Sequence, residues 1–271
     1  MINVPKQYQP IINTVYPAEN FCEYERWFMQ NYKGDVSSRE YLPILFCGYH
    51  VNNQYGQNKQ ARYDLQAFVN ALDSSKKYFC LSQYDDGVGV DWKEKDVLVF
   101  DMSKKSAYQL PLMCQPHSYE HDGSKKYFAS FIGSRTHGIR DKVFALEGLD
   151  GYYISSNVHS IAKFCRVVAG SIFGLCPRGY GLNSFRIVEC MQYGTIPVYI
   201  SDDFIFPHNL DFMDYGIIIE AKDADRIDEI LKQVTPEQII NKQDKIKELY
   251  HSHFSYQGVM DRINEHLCLL P

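Results

Sequence analysis

Several features that mark common classes of protein are missing from this chain of 271 residues. No run of Lys or Arg is longer than Lys-Lys and the formal net charge is −5, so the chain has no concentrated basic face for nucleic acid or anionic lipid. Residues 1–10 are polar, and no later stretch is apolar over the roughly 20 residues that cross a bilayer. We therefore expect a soluble, cytoplasmic protein with no signal peptide, no membrane span and no nucleic-acid partner.

Paired metal and redox motifs are missing as well. The eight cysteines are scattered singly with no C-x-x-C pair, which argues against a zinc site or a dithiol redox motif. Several lie in apolar runs, where a free thiol behaves as a small hydrophobic side chain, so we expect them to be reduced. Asp85 and Asp86 are adjacent rather than spaced and Asp91 stands apart, so we expect no metal site.

The chain does contain an alternation of strand and helix patterns, in two halves. The first half has helical patterns over 21–32 and 64–72 and strand patterns over 43–47, 77–81 and 96–100. The second half has strand patterns over 127–132, 152–155, 171–176, 195–201 and 216–220, and helical patterns over 138–149, 158–168 and 184–192 before three terminal helices. The middle terminal helix begins at Thr235-Pro236-Glu237-Gln238, which is a helix-capping pattern.

This alternation predicts an α/β protein, because strands that alternate with helices form parallel sheets covered by helices. The two halves meet at a polar stretch, 114–123, that contains proline and glycine. We expect two Rossmann-like domains facing across a cleft, with an N-terminal domain over 1–120 and a C-terminal domain over 121–254. A terminal helix over 255–271 is expected to pack back on the N-terminal domain.

The segment 171–200 carries the strongest chemical signal, since it reads as strand, glycine-rich loop, helix and strand. Two glycines in the loop let the backbone approach a ligand, and Asn183 or Ser184 can cap the helix. Arg178 and Arg186 bracket the helix start, which suits a diphosphate. Glu189, one turn beyond Arg186, could accept hydrogen bonds from ribose hydroxyls, or the two could form an ion pair on a solvated surface.

These residues resemble a known family. The run Leu175-Cys-Pro-Arg-Gly, then Ser184-Phe-Arg and Glu189, then Gly194-Thr-Ile-Pro-Val, is similar to the donor-binding signature of the exostosin-like glycosyltransferases, glycosyltransferase family 47. The run Phe131-Ile-Gly-Ser-Arg-Thr-His-Gly-Ile-Arg140 resembles a second segment of that family. The resemblance covers about residues 125–220, and the chain looks like a compact viral or bacterial member, which would place it in the host cytoplasm if viral.

The resemblance implies a GT-B fold and an inverting transfer from a UDP-sugar to a hydroxyl of a glycan or glycoprotein. It does not distinguish UDP-xylose, UDP-galactose, UDP-glucuronate and UDP-GlcNAc, and it implies no cofactor beyond the UDP-sugar co-substrate. By the same resemblance Arg140 and Arg178 hold the diphosphate, Ser184 and Arg186 support it, and Glu189 binds the ribose. The full set of expected donor-binding residues is Gly133, Arg135, His137, Arg140, Arg178, Gly179, Tyr180, Asn183, Ser184, Arg186 and Glu189.

An inverting transfer also needs a base, which we expect at the carboxyl end of a strand in the N-terminal half. The candidates are Asp85, His50 and Asp86, although Asp-Asp-Gly is also an ordinary turn and a lone histidine is commonly structural. The acceptor pocket is expected to be walled by Tyr49, Asn52, Asn53 and Tyr84.

Two other functions remain open from the sequence. A non-catalytic subunit could bind a nucleotide sugar and stabilise another transferase, because donor motifs can persist without a base. The other alternative is a retaining GT-B transferase or a nucleotide-sugar epimerase. Retaining GT-B enzymes often carry two glutamates about seven residues apart, but the positions seven before and seven after Glu189 are Leu182 and Ile196, so that pattern is absent.

Overall fold

The computed structural model describes residues 2–11, 23–34, 36–103, 107–157, 159–203, 206–207 and 210–270. The chain divides into two compact units: the first comprises Met1–Gln115 with Tyr256–Pro271, and the second comprises Pro116–Ser255. Each unit is built on a sheet whose strands are all parallel. The predicted α/β class with two Rossmann-like domains is therefore confirmed.

The first unit contains a four-stranded sheet in the order β1-β2-β3-β4. Its strands are β1 (Glu40–Tyr41), β2 (Lys77–Ser82), β3 (Asp96–Asp101) and β4 (Tyr108–Gln109), and its helices are α1 (Glu23–Asn31), α2 (Phe46–Asn52), α3 (Lys59–Asn70) and the last helix of the chain, α10 (Tyr256–Leu269). A short 3₁₀ helix, Lys6–Tyr8, precedes them. Rings of α1 pack against the start of α10, where Tyr24 lies 5.1 Å from Tyr256, so the last helix belongs to this unit.

The second unit contains a five-stranded sheet in the order β6-β5-β7-β8-β9. Its strands are β5 (Tyr127–Ile132), β6 (Tyr152–Ser155), β7 (Ser171–Pro177), β8 (Ile196–Ile200) and β9 (Ile217–Ile219). Its helices are α4 (Ile139–Phe144), α5 (Ile161–Ala169), α6 (Phe185–Met191), α7 (Phe212–Tyr215), α8 (Ile227–Lys232) and α9 (Pro236–Leu249), with a 3₁₀ helix at Ala221–Arg226 and a π-helix at Tyr250–Phe254. The chain starts at β5, adds β6 on one side and returns to add β7 on the other.

One predicted strand is wrong. The apolar run over 43–47 was expected to form a strand, but the strand in this region is β1, and α2 begins at Phe46. The residues from Phe46 to Val51 are all buried, so this helix shows no amphipathic period and a short apolar run reads equally well as a strand. The strands predicted over 77–81, 96–100, 127–132 and 152–155 are confirmed.

The helices of the second unit begin near their predicted positions but are shorter. The pattern over 138–149 yields only α4, because the chain turns after Phe144, and the pattern over 184–192 yields the seven-residue α6. The first residue of the pattern over 158–168 lies outside the described residues, and α5 begins at Ile161. The capping box predicted at the start of α9 is confirmed, with Thr235 and Gln238 exchanging hydrogen bonds.

A buried carboxyl group joins the segment that follows β2 to the first turn of α2. Glu25 on α1 accepts hydrogen bonds from the backbone N–H of Cys47 and, at 2.6 Å, from that of Gln83. Burial raises the pKa of Glu25 to about 8, against the two N–H donors, which lower it. The Glu25 side chain therefore joins α1 to α2 and to the segment after β2. No pattern in the sequence indicates that these three segments meet.

The expectation that all cysteines are reduced is wrong at one position. Cys47 is disulfide-bonded, and Cys22 lies outside the described residues. The other six cysteines form no disulfide: Cys80, Cys114, Cys165, Cys176, Cys190 and Cys268. Cys190 also explains a glycine in β7, because a Cβ on Gly174 would lie 2.1 Å from its sulfur. In the part of the chain that the structure describes, no helix has both the length and the apolar character needed to cross a bilayer.

Candidate functional site

The strand order of the second unit marks one point of its sheet as the candidate binding site. β5 and β7 are neighbours, and their connections run to opposite sides of the sheet, so the strand order reverses between them. In open parallel sheets, ligands bind outside the carboxyl ends of the strands at such a switch point. The segments that leave these two strands are Gly133–Arg140 and Arg178–Ser184, which contain most of the predicted donor-binding residues.

Arg140 connects these two segments. Its Nε donates a hydrogen bond to the carbonyl of Arg178 at 2.9 Å, and its terminal nitrogens donate to the carbonyls of Ser134 at 2.7 Å and Pro177 at 3.4 Å. A Cβ on Gly179 would lie 3.2 Å from the Arg140 guanidinium, so the backbone passes close to the cation at this point. A fixed guanidinium beside an uncovered stretch of backbone is suited to binding phosphate oxygens.

Hydrogen bonds from two side chains to backbone carbonyl groups hold the loop after β7. The guanidinium of Arg178 donates to the carbonyl of Tyr180 at 2.9 Å, and the hydroxyl of Tyr199 donates to the carbonyl of Leu182 at 2.7 Å. Burial raises the pKa of Tyr199 to about 12, although the nearby Arg178 lowers it, so this hydroxyl stays protonated and remains a donor. Tyr180 itself is exposed.

The start of α6 contributes less than the sequence suggested. Ser184 is its N-cap residue, but its side chain makes no capping hydrogen bond, and Asn183 accepts the N–H of Ser184 at 3.0 Å. The helix has only seven residues, too few for a strong dipole. The positive charge at this site therefore comes mainly from Arg140 and Arg178.

Arg186 and Glu189 form an ion pair that is buried rather than solvated. An Arg186 terminal nitrogen lies 2.9 Å from a Glu189 carboxylate oxygen, and the two side chains are 15% and 8% exposed. The Arg186 guanidinium also donates to the carbonyl of Ile132 at the end of β5 and stacks 4.3 Å from the ring of Phe164. The pair thus fixes the end of β5 against α6.

The other three residues predicted on the β5 side have contacts within their own segment. A Cβ on Gly133 would meet the ring of Phe131 at 2.8 Å. Arg135 is exposed, pairs with Asp141 at 2.5 Å and lies over the Phe144 ring, and His137 accepts the N–H of Ile139 at 3.2 Å. Their donor-binding role stays a prediction.

Sequence reasoning missed His117. Its backbone N–H donates to the side chain of Gln192 at 3.0 Å, and its Nε2 atom is buried with no hydrogen-bond partner among the described residues. Burial lowers the pKa of His117, the nearby Glu189 raises it and the nearby Arg186 lowers it. Its position in a polar stretch between strand patterns gave no signal in the sequence.

The first unit contains an open cavity of about 860 Å³. It is lined by residues of α2, α3, β3 and β4, and of the connections from α2 to α3 and from β2 to β3. Three predicted residues line it: His50, Tyr84 and Asp86. The structure therefore brings two of the three candidate bases together.

Asp85 and Asp86 occupy the centre of a tight turn, in which the N–H of Gly87 donates to the carbonyl of Tyr84 at 2.9 Å. Of these two aspartates, Asp86 lines the cavity and Asp85 does not. Asp85 was the first candidate from the sequence, where the geometry of the turn could not be resolved.

His50 lies on α2 rather than after a strand, and it is 3% exposed. Its Nε2 is 3.0 Å from the carbonyl oxygen of Val88, so this nitrogen carries the proton and donates. Burial lowers the pKa of His50, and Arg62 lowers it further, whereas the Val88 hydrogen bond and Asp86 raise it. The imidazole is therefore neutral at pH 7.

The remaining predicted acceptor residues make contacts within the chain and do not line this cavity. The Tyr49 hydroxyl donates to the carbonyl of Ala61 at 2.7 Å, Asn52 donates to the carbonyl of Ile11 at 2.7 Å, and Asn53 donates to the carbonyl of Tyr49 at 2.8 Å. Their role in acceptor binding stays a prediction.

Sequence reasoning also missed Asp101 and Ser103, both buried in the cavity wall. Asp101 ends β3 and accepts two hydrogen bonds of 2.8 Å from the N–H and hydroxyl of Ser103. Because Asp101 directly follows a predicted strand, its place at the carboxyl end of a parallel strand was a usable signal. Within the described residues, no group of three His, Cys, Asp or Glu side chains could hold a metal ion.

Comparison with known proteins gives a consistent family signal. A model of the Exostosin GT47 domain matches residues 48–234. The chain is 26% identical over 207 residues to the Exostosin-1 homolog of Caenorhabditis elegans, which covers 62% of this chain and 53% of that protein. It is 40% identical over 75 residues to a probable beta-1,4-xylosyltransferase of Arabidopsis thaliana, a match that covers 27% of this chain and 18% of that protein. It is 36% identical over 75 residues to a probable glucuronosyltransferase of Oryza sativa subsp. japonica, a match that covers 27% of this chain and 17% of that protein.

The chain thus spans about half the length of the nematode relative and less than a fifth of the plant relatives. Among solved structures, TarM aligns with a TM-score of 0.44 at 8% identity, over 74% of this chain and 52% of that chain. The GtfA/B complex aligns with a TM-score of 0.42 at 12% identity, over 76% of this chain and 48% of that chain.

Proposed function

Because the chain belongs to the Exostosin GT47 domain family, we propose that it is a glycosyltransferase that uses a UDP-sugar donor and inverts the anomeric carbon. The observation that carries the proposal is the convergence of the Gly133–Arg140 and Arg178–Ser184 segments at the switch point of the second sheet, joined by Arg140. This is where the doubly wound fold binds nucleotides.

In the proposed reaction, a base removes a proton from an acceptor hydroxyl, and the hydroxyl oxygen bonds to the anomeric carbon of the donor. The bond from that carbon to the diphosphate oxygen breaks, and the electron pair leaves with UDP. Arg140 and Arg178 stabilise the negative charge that develops on the diphosphate. Glu189 accepts hydrogen bonds from the ribose, while Arg186 holds Glu189 and the end of β5 in place.

The test is turnover with a panel of donors. Purified protein is incubated with UDP-xylose, UDP-glucuronate, UDP-galactose and UDP-GlcNAc, with a mixture of oligosaccharide acceptors, and released UDP and extended glycans are measured. We expect one donor to give UDP release that depends on an acceptor and a product of inverted configuration. UDP binding without release from any donor would instead support the non-catalytic subunit, and a product of retained configuration would overturn the inverting mechanism.

Asp86 is our proposed base, since it is exposed and lines the cavity. We expect Asp86→Asn to lower kcat by about 100- to 10,000-fold with UDP affinity unchanged, because the change removes the proton acceptor and leaves the second unit intact. Asp85→Asn, one residue away in the same turn, is the matched control and should keep most of its activity. If only Asp85→Asn loses activity, the base is Asp85; if neither does and His50→Gln does, the base is His50.

A further inference from the structure

The cavity of the first unit has the size and wall of a ligand site. Its volume of about 860 Å³ lies within the ~300–1,000 Å³ typical of ligand pockets. A concave site of this size can contact a ligand on several sides. The question is which chemical class of ligand its wall accepts.

An aromatic ring stands at the cavity wall on a constrained loop. Tyr55 is 52% exposed and lines the cavity. Its backbone lies in the left-handed region, with φ of 54°, between Gln54 at 58° and Gly56 at 73°. Two hydrogen bonds of 2.9 Å hold this loop, from the Tyr84 hydroxyl to the Tyr55 carbonyl and from the Gly56 N–H to the His50 carbonyl. A half-exposed ring on a fixed loop offers a flat apolar face to a sugar ring.

The charged side chains that line the cavity are mostly negative. Among the described residues, Asp86, Asp91 and Asp101 line the cavity against one guanidinium, that of Arg62. The neutral His50 adds no positive charge at pH 7. Carboxylates accept hydrogen bonds from hydroxyl groups, but they repel carboxylates and phosphates on a ligand.

The connection that carries Asp91 is fixed to α3. The side chain of Gln66 donates to the Asp91 carbonyl at 2.7 Å and accepts the Asp91 N–H at 2.8 Å. These two hydrogen bonds fix the backbone of Asp91 in the cavity wall. The negative charge that Asp91 contributes therefore has a fixed place in the cavity wall.

We propose that this cavity is the acceptor subsite and that it selects a non-anionic saccharide, neutral or amine-bearing, with Tyr55 as the stacking platform. That the bound saccharide is the acceptor of the reaction rests on the proposed transferase function, whereas the charge selection rests on the residues that line the cavity. The acidic wall also disfavours the diphosphate of the donor, which agrees with placing the donor on the second unit.

The experiment measures equilibrium binding of oligosaccharides to the full chain without any donor. The probes are neutral β-1,4-linked hexamers of xylose, glucose, galactose and mannose, a glucosamine hexamer, and the anionic hexamers of galacturonate and mannuronate, titrated by calorimetry. We expect at least one neutral or amine-bearing probe to bind about 10-fold or more tightly than either uronate, since like charges repel in the cavity. Tightest binding by a uronate, or binding by no non-anionic probe, overturns the proposal.

Two variants with matched controls locate the effect. Tyr55→Ala should weaken binding of the preferred probe about 10-fold, while Tyr63→Ala, on α3 and 72% exposed outside the cavity wall, should not change it. Asp91→Asn should strengthen uronate binding about 3- to 5-fold and leave neutral probes unchanged. Equal effects of the two tyrosine variants, or no effect of Asp91→Asn on uronates, contradict the assignment to this cavity.

The binding assay and the turnover assay can fail separately. If no donor is turned over but a neutral probe binds at Tyr55, the saccharide site stands and the transferase function falls. If transfer occurs but only to uronate acceptors, the transferase function stands and the charge selection falls.

Discussion

Replacing Arg140 by alanine is expected to lower kcat/KM for sugar transfer by about 100- to 1,000-fold. Arg140 holds the loops after β5 and β7 together through the carbonyls of Ser134, Pro177 and Arg178, and it places a cation beside Gly179. Its loss removes charge stabilisation of the departing diphosphate and loosens the backbone around it. Steady-state kinetics with the donor identified by turnover measure the effect.

Two further variants make this test specific. Arg140→Lys keeps the positive charge but cannot reach three carbonyls from one planar group, so we expect it to recover only a small part of the activity. Arg226→Ala removes an arginine of the same unit that is exposed and paired with Asp223 and Glu229, and it should keep normal rates. Near-normal kcat/KM for Arg140→Ala in a protein of unchanged melting temperature would remove Arg140 from the donor site.

Substitution of Glu189 by alanine should affect both stability and nucleotide binding. The change leaves Arg186, which is 15% exposed, without its carboxylate partner, so we expect the free energy of unfolding to fall by about 3 kcal/mol. UDP affinity should fall by about 10- to 100-fold because a charged hydrogen-bond acceptor for the ribose is lost. Chemical denaturation and calorimetric titration measure the two effects.

A ligand change separates the ribose contact from the structural ion pair. Wild-type protein should bind 2′,3′-dideoxy-UDP about 10-fold or more weakly than UDP, whereas Glu189→Gln should bind both with similar affinity. The paired variant Arg186→Met with Glu189→Leu removes both charges and should recover most of the lost stability without recovering UDP affinity. Discrimination between the two nucleotides by Glu189→Gln equal to that of the wild type would assign Glu189 to the ion pair alone.

The sequence by itself determined the α/β class and the number of sheets, and it located the segment that we propose binds the donor. Short, largely apolar runs located β2, β3, β5 and β6, because strands of a parallel sheet that is covered by helices read as near-continuous apolar runs. The glycine-rich loop with its flanking arginines was also local in the chain, as was the capping box of α9. Local patterns of this kind are set by backbone conformation and side-chain spacing, which a single sequence contains.

Tertiary structure alone decided which distant residues meet. It turned the apolar run at Phe46 into a buried helix, separated Asp86 from Asp85 within one turn, and buried the Arg186–Glu189 pair against Ile132 and Phe164. Glu25 and His117 likewise acquire their surroundings only when separate elements pack together. The physical reason is that burial, charge and hydrogen bonding at these positions depend on partners tens of residues away, and no local period in the chain encodes such a partner.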